Sequence, residues 1–509
     1  MLIEILVTII ITFLIFTYFY HKYVISNFWR KKNVFYVDPS AAKNYMAASF
    51  GQVALGEFFR DVYLKYKDHH AFGMCMYFNP MLMVADLDFI RTVLTKDFSN
   101  FHDRGMFCDE KHDPLSCNLF NLTGTKWKNL RIKMTPIFTP GKIKQQFPYI
   151  NEISQRLVKY LEKEAQMKST IEMKDLFERY TTDVIMSTVF GVNSDCIENP
   201  NNEFGHWKRR VIEPSQLRIV LSAYAAKIIK IWQFLSIPIT PNDVTNYFIN
   251  LFQVNMENRK AHNIVKQDFL NLLIQLVDTG YIKSDDVKNT VDMSSIATEK
   301  LTMIEGAAQA FIFFIAGYET SATTASNCMY ELAQNQDIQD KLRNEIDEII
   351  KKHNGLSYDA LNEMTYLHKV INETMRKYPP VPSIHRICTE DTIFPPNIQV
   401  SKGTAIIIPV FGLHRDPLIY PDPDKFDPDR FNAEEIAARH PYAYLPFGEG
   451  PRICIAAKLG YLQTKIGIIN VLSKYKFKLA PQTPVPLTFK SAPIVLRVKD
   501  DIHVIIEPR

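Results

Sequence analysis

At 509 residues and 47% hydrophobic content, the chain can bury a large core and is too long for one ordinary small domain. Its net charge of +4 is too mild to signal a nucleic-acid partner, and no zinc-ligand spacing, phosphate-cradling glycine loop or basic run with interleaved aromatics occurs. The seven cysteines, at 75, 108, 117, 196, 328, 388 and 454, are odd in number and widely spread, which predicts free thiols in a reducing compartment.

Leu2 to Tyr20 is apolar apart from Glu4 and scattered threonines, with Tyr18 and Phe19 as interfacial aromatics. Lys22, Arg30, Lys31 and Lys32 follow it. This pattern predicts one uncleaved membrane helix at residues 1–20, with the body of the chain on the cytosolic side. The basic start and small-residue cleavage site of a signal peptide are missing. Residues 21–40 then read as a linker and 41–509 as a single body. That body is predicted to be mainly α with a smaller β-rich part. Helical periodicity covers Gly124 to Phe138, Glu299 to Asn335, Ile338 to Lys352, Leu361 to Tyr378 and Ile455 to Tyr475. Pro379-Pro380 stops the fourth of these. Strand-like pieces lie at Phe72–Val84, Thr404–Pro409 and Ile494–Ile506.

Four groups of residues carry chemistry. Trp127 and Arg131 lie four apart on one predicted helix face and can both donate hydrogen bonds to an anion. Ala316-Gly317-Tyr318-Glu319-Thr320 sits inside an apolar helix. Burying an acid and a hydroxyl there is costly without partners or work for them. Gly317 leaves space beside the backbone, and Thr320 can bond a carbonyl one turn back. The expected result is a polar notch in an apolar wall; a satisfied core threonine is the alternative. Glu373 and Arg376 share a helix face, and with Arg430 they are expected to form a buried structural ion group. Last comes Phe447-Gly448-Glu449-Gly450-Pro451-Arg452-Ile453-Cys454. Two glycines let the backbone bend toward a sulfur, and a following helix N-terminus and Arg452 favour a thiolate there. A buried, inert cysteine after a turn is the alternative.

The spacing Phe447-x-x-Gly450-x-Arg452-x-Cys454 resembles the haem-ligand loop of the cytochrome P450 family. Ala316-Gly317-x-x-Thr320 resembles its oxygen-activation segment, and Trp127-x-x-x-Arg131 its propionate-binding pair. Arg386 and Arg452 match further propionate partners. The four groups keep the family's order over about Trp127 to Gly460. Gln309-Ala310-Phe311 and Tyr330-Glu331-Leu332-Ala333 point to insect microsomal members of the xenobiotic-metabolising type.

The resemblance implies the cytochrome P450 fold, a haem (iron protoporphyrin IX) with Cys454 as its iron ligand, and a haem pocket that includes Ala316, Phe447, Gly448 and Gly450. It implies a monooxygenase in which Thr320, helped by Glu319, delivers protons. Its partners would be an NADPH-dependent cytochrome P450 reductase, cytochrome b5 and an apolar small molecule, with no nucleic acid. Its place would be the endoplasmic reticulum membrane, with Lys128, Lys142, Lys144, Arg452 and Lys458 as basic reductase contacts. The segment Phe101 to Phe120, with Phe107, Leu115 and Phe120, then Phe311, Phe314 and Val381 to Ile384, would line the substrate pocket. A haem-thiolate isomerase or dehydratase that needs no O2, and a non-catalytic haem-binding membrane protein, are the competing readings. Ala456 stands where the family usually has glycine, Ile453 where the insect members often have a polar residue, and the Pro/Gly-rich hinge after the anchor is nearly absent.

Overall fold

The computed structural model describes residues 18–38, 52–76, 79–167, 170–212, 236–282, 299–394, 397–492 and 494–509, together with 8, 11, 12, 15, 16, 44 and 48. The predicted anchor at 1–20 therefore lies mostly outside the described residues. No helix among the described residues is long and apolar enough to cross a membrane.

The chain divides into two compact units. The first comprises residues 1–105, 382–423 and 439–453. Its centre is a four-stranded sheet in the order Ala71–Met76, Asn79–Val84, Ala405–Ile408, Ile384–Ile387. The inner pair, Asn79–Val84 and Ala405–Ile408, is parallel. Ala405 to Ile408 is buried throughout, which is why that strand reads as an unbroken apolar run. The expected linker is itself packed on this sheet. Trp29 is fully buried and donates to the Met74 carbonyl at 3.3 Å, and Val37 bonds the Gly73 carbonyl at 2.9 Å.

The second unit comprises residues 106–381, 424–438 and 454–509. It is mainly helical. Its central element is the notch helix, Met303–Gln334, started by a reciprocal cap between Thr302 and Glu305. Packed with it are the helices Met173–Ile185, Asn242–Ala261, Phe269–Asp278, Thr365–Lys377 and Ala457–Leu472. A small sheet in the order Thr170–Glu172, His503–Pro508, Tyr475–Leu479 completes the unit.

Two expectations change. The segment Leu361 to Tyr378 is two helices, Tyr358–Glu363 and Thr365–Lys377, broken at Met364. The cysteines are not all free: Cys108 is joined to Cys117. A turn at Pro114–Ser116 and a bridge between Asp109 and Asp113 fold the intervening loop until the two Cα atoms are 5.0 Å apart.

Candidate active site

Cys454 ends an extended turn, and the helix it precedes begins at Ala457, three residues later than the cysteine itself. Ala456 occupies the N-cap position with φ −101° and makes no side-chain cap. Its φ is negative, so the alanine that replaces the usual glycine sits without backbone strain. Alanine offers the first N–H groups of this helix no acceptor of its own, and a helix start favours negative charge nearby. Cys454 is exposed and outside any disulfide; Cys75, Cys196, Cys328 and Cys388 are buried. In the same unit, burial holds the Arg131 guanidinium below its ordinary value, and the nearby Cys454 charge pulls it back up. Arg131 makes no side-chain hydrogen bond or ion pair among the described residues, and Trp127, one turn earlier, is 5% exposed. Arg131 and the sulfur therefore share one electrostatic neighbourhood.

The notch helix runs unbroken through Ala316–Ser321. Three successive carbonyls each take an extra side-chain hydrogen bond. Thr320 Oγ1 donates to the Ala316 carbonyl at 2.7 Å, Gln463 Nε2 to Gly317 at 2.8 Å, and Thr181 Oγ1 to Tyr318 at 3.0 Å. The threonine back-bond is as predicted; the free space beside Gly317 is not. A Cβ there would meet Ile185 Cδ1 at 2.6 Å, so the glycine admits the neighbouring helix Met173–Ile185 instead of opening a gap. Ala316 is exposed and Thr320 half-buried. Glu319 faces elsewhere. It is 5% exposed and bonded to Arg497, and its carboxyl lies above the usual range because burial outweighs the pull of Arg497. The structure therefore brings Thr320 to an accessible face and sends Glu319 into a buried ion pair.

The first unit holds the loop Phe447–Arg452 and a cluster of arginines. Gly448 and Gly450 have φ of +73° and +77°, and a Cβ on Gly450 would collide with the Leu94 carbonyl. Arg386 is 2% exposed; among the described residues its guanidinium bonds only the His385 carbonyl, at 2.9 Å, and its Nε has no partner. Burial, then the like charges of Arg104 and Arg452, lower its pKa to about 9. Arg452 is 2% exposed and lies 3.7 Å from Asp103, while Arg104 donates to the Arg452 carbonyl at 3.1 Å. Arg104, Arg386 and Arg452 bring three positive charges to one neighbourhood beside Asp103, and Arg386 keeps a buried N–H with no partner among the described residues.

Arg104, Gln463 and Arg497 were missed in the sequence. None sits in a recognisable spacing; only the i, i+1 offset of Glu319 from Thr320 hinted that the acid needed a partner on another face. One expected contact is withdrawn: Arg452 is buried and cannot offer its charge to a docking protein. Lys144 pairs with Asp359 at 3.1 Å and stays exposed. Lys128 and Lys458 are exposed.

A family model described as Cytochrome P450 matches residues 44–505. The chain belongs to the cytochrome P450 family. It is 37% identical over 492 residues to the Probable cytochrome P450 6a14 of Drosophila melanogaster, covering 95% of this chain and 96% of that protein. It is 36% identical over 498 residues to Cytochrome P450 6a2 of the same fly, covering 96% of each. It is 33% identical over 487 residues to Cytochrome P450 6A1 of Musca domestica, covering 94% of this chain and 93% of that protein. This P450 is accordingly a haem-binding monooxygenase, an oxidoreductase with a mainly α fold and a smaller β part. The donors of each unit suit the group: in the second, an accessible sulfur able to take iron; in the first, Arg386, whose buried Nε has no partner among the described residues and could meet a carboxylate of haem.

Proposed function

We propose that this P450 is a membrane-anchored haem-thiolate monooxygenase that inserts one oxygen atom of O2 into an apolar small molecule. Cys454 ligates the iron. Trp127, Arg131, Arg386 and Arg452, joined by Arg104, hold the propionates, and Phe447, Gly448, Gly450 and Ala316 belong to the haem pocket. The observation that carries this reading is Cys454 itself: an accessible thiol outside any disulfide, three residues ahead of a helix start, within the electrostatic reach of Arg131. Bound haem supplies the oxygen chemistry, and a thiolate ligand pushes electron density toward the iron, a general property of this family. The chain's own work is to position, exclude side reactions and move protons. Thr320 is the delivering hydroxyl, on the accessible face of the notch helix. Glu319 acts at one remove, through its ion pair with Arg497.

Electrons come from an NADPH-dependent flavoprotein reductase on the endoplasmic reticulum membrane, with cytochrome b5 as a second donor and Lys128 and Lys458 as exposed basic contacts. Residues 1–20 are the anchor, 21–40 connect it and 41–509 form the catalytic body on the cytosolic side. Ile11, Ile15, Phe16, Tyr18 and Phe19, each at least half exposed in helical backbone, support the anchor. Phe107, Phe120 and Phe311 favour an apolar substrate of the xenobiotic type.

The test is the reduced, carbon-monoxide-bound protein. It should show the strongly red-shifted Soret band of thiolate ligation, and Cys454→Ser should lose that band. Retention of the band in Cys454→Ser, with its loss in Cys388→Ser, would move the ligand to Cys388 and refute the proposal.

A further inference from the structure

The notch helix carries more polarity than Thr320 accounts for. An α-helix turns once in 3.6 residues, so positions 320, 324, 327 and 331 fall on one face. They are Thr320, Thr324, Asn327 and Glu331, with Thr323 beside them. Such a stripe on a buried helix needs partners. Asn327 is 1% exposed, and neither its Nδ2 nor its Oδ1 has a partner among the described residues. Thr323 is 3% exposed, and its Oγ1 has none either. The two lie four residues apart, about 5–6 Å between Cβ atoms, a span one water can bridge. Buried polar groups in native proteins are bonded to protein or to ordered water. Two unpartnered side chains facing the same space therefore mark a water site.

The stripe has a wet end. Glu331 Oε1 accepts from Lys377 Nζ at 2.7 Å and from Tyr378 Oη at 2.5 Å, and its Oε2 from Asn335 Nδ2 at 3.4 Å. The Lys377 side chain keeps 13% exposure and Asn335 is half-buried. From there to Thr320 is eleven residues, about 16 Å along the axis. Thr324 Oγ1 donates to the Thr320 carbonyl at 2.9 Å, which leaves its lone pairs free to accept.

We propose that Thr323 and Asn327 hold buried water joining the Glu331–Lys377 cluster to Thr320, a proton feed along one face of the helix. It rests on the reading of Thr320 as the delivering hydroxyl. Each water takes up one proton and passes one on, and the Thr324 and Thr320 hydroxyls do the same by turning away from the Thr320 and Ala316 carbonyls to which they donate at rest. The proton spent at Thr320 is replaced from bulk water at the Glu331–Lys377 end, so no residue changes its charge over a cycle. Thr323 and Asn327 are positioning residues here: they hold the carrier and touch no substrate.

The experiment uses the full-length holoenzyme. A high-resolution crystal structure should show a water within hydrogen-bond distance of Thr323 Oγ1 and the Asn327 amide, and Asn327→Leu should lack it. Asn327→Leu should keep haem content and substrate affinity but lower product formed per nicotinamide oxidised about tenfold, short of the roughly 10²-fold or more of a direct proton donor. Its solvent isotope effect on product formation should rise. If Asn327→Leu fails to load haem, Thr323→Val, isosteric and apolar, carries the same test. No water in the wild-type structure overturns the inference. So does an unchanged product ratio and isotope effect in the variant while Thr320→Ala is uncoupled. An unchanged ratio in Thr320→Ala instead removes the parent reading, and the feed with it.

Discussion

Arg376→Ala should cost this P450 its fold, not its chemistry. Arg376 and Glu373 are both fully buried. Arg376 Nε donates to Glu373 Oε2 at 2.6 Å and its terminal nitrogen to Oε1 at 2.8 Å. Glu373 Oε1 also accepts from the Asp427 backbone N–H at 2.9 Å and lies 3.5 Å from Arg430. Truncation removes both charge-assisted bonds of the fork and leaves a buried carboxylate with one N–H and a more distant cation. Breaking such a pair from one side costs about 3–5 kcal/mol. That is roughly two to four powers of ten in the folded fraction, out of a total stability on the order of 5–15 kcal/mol. Arg430→Ala should cost less, because that contact is longer and Arg430 retains some exposure. Arg376→Lys should fall between, keeping the charge and losing the fork. The assay is the yield of haem-loaded protein together with its denaturant midpoint. Normal yield and an unchanged midpoint in Arg376→Ala, with only turnover lost, would refute a structural role.

Thr320→Ala should keep haem binding and substrate affinity while nicotinamide oxidation continues, product falls and released peroxide rises; an unchanged ratio of product to nicotinamide oxidised would remove Thr320 as the delivering group. Burial, then the Lys465 charge, lower His368 to about 4 from an ordinary 6.5. The folded state thus refuses a proton that the unfolded chain accepts, so this stability is present above about pH 6.5 and is lost as pH falls toward 4, at up to about 1.4 kcal/mol per pH unit. His368→Gln should flatten that part of the pH–stability curve, and a curve of unchanged slope would contradict the assignment. Residues 1–20 should stay on the mature protein and carry it into the membrane fraction; an N-terminus found beyond residue 20 would overturn the anchor.

What could be read in advance was local. The cysteine loop declares itself because glycines, arginine and sulfur act within eight residues, and the notch helix because thirty residues keep one period. What failed was set at a distance. The break at Met364 has no proline or glycine. The helix restarts at Thr365 because Glu345, on a neighbouring helix, accepts from the Tyr366 and Leu367 N–H groups at 2.7 and 2.8 Å, a cap supplied from elsewhere in the fold. The Cys108–Cys117 link likewise depends on a folded loop that no cysteine count reveals. Glu319 was nearer to legible. Neighbouring helix positions point about 100° apart, so an acid beside a hydroxyl cannot share its face, and the carboxylate needed a cation that proved to lie 178 residues away.

The buried charges of this P450 fall into two kinds, and the difference assigns them. Arg259 and Asp268, each 6% exposed in their side chains, meet through two bonds of 2.6 Å, and the Glu373–Arg376 fork is equally closed. Such pairs satisfy each other and leave nothing for a ligand. Arg386 is the opposite case. It is as deeply buried as they are, yet it has a single backbone acceptor and an orphaned Nε, and two further arginines press on it. No folding argument favours setting two buried arginines beside a third, half-buried one; hydrophobic side chains of equal volume would be as stable or more so. Asp103, 3.7 Å from Arg452, balances one of the three charges, and a further anion would balance the rest. The propionates of the haem that the family requires are anions of the right valence. If Arg386 and Arg452 hold the propionates as proposed, Arg104, which matches no motif but donates to the Arg452 carbonyl at 3.1 Å, belongs with them.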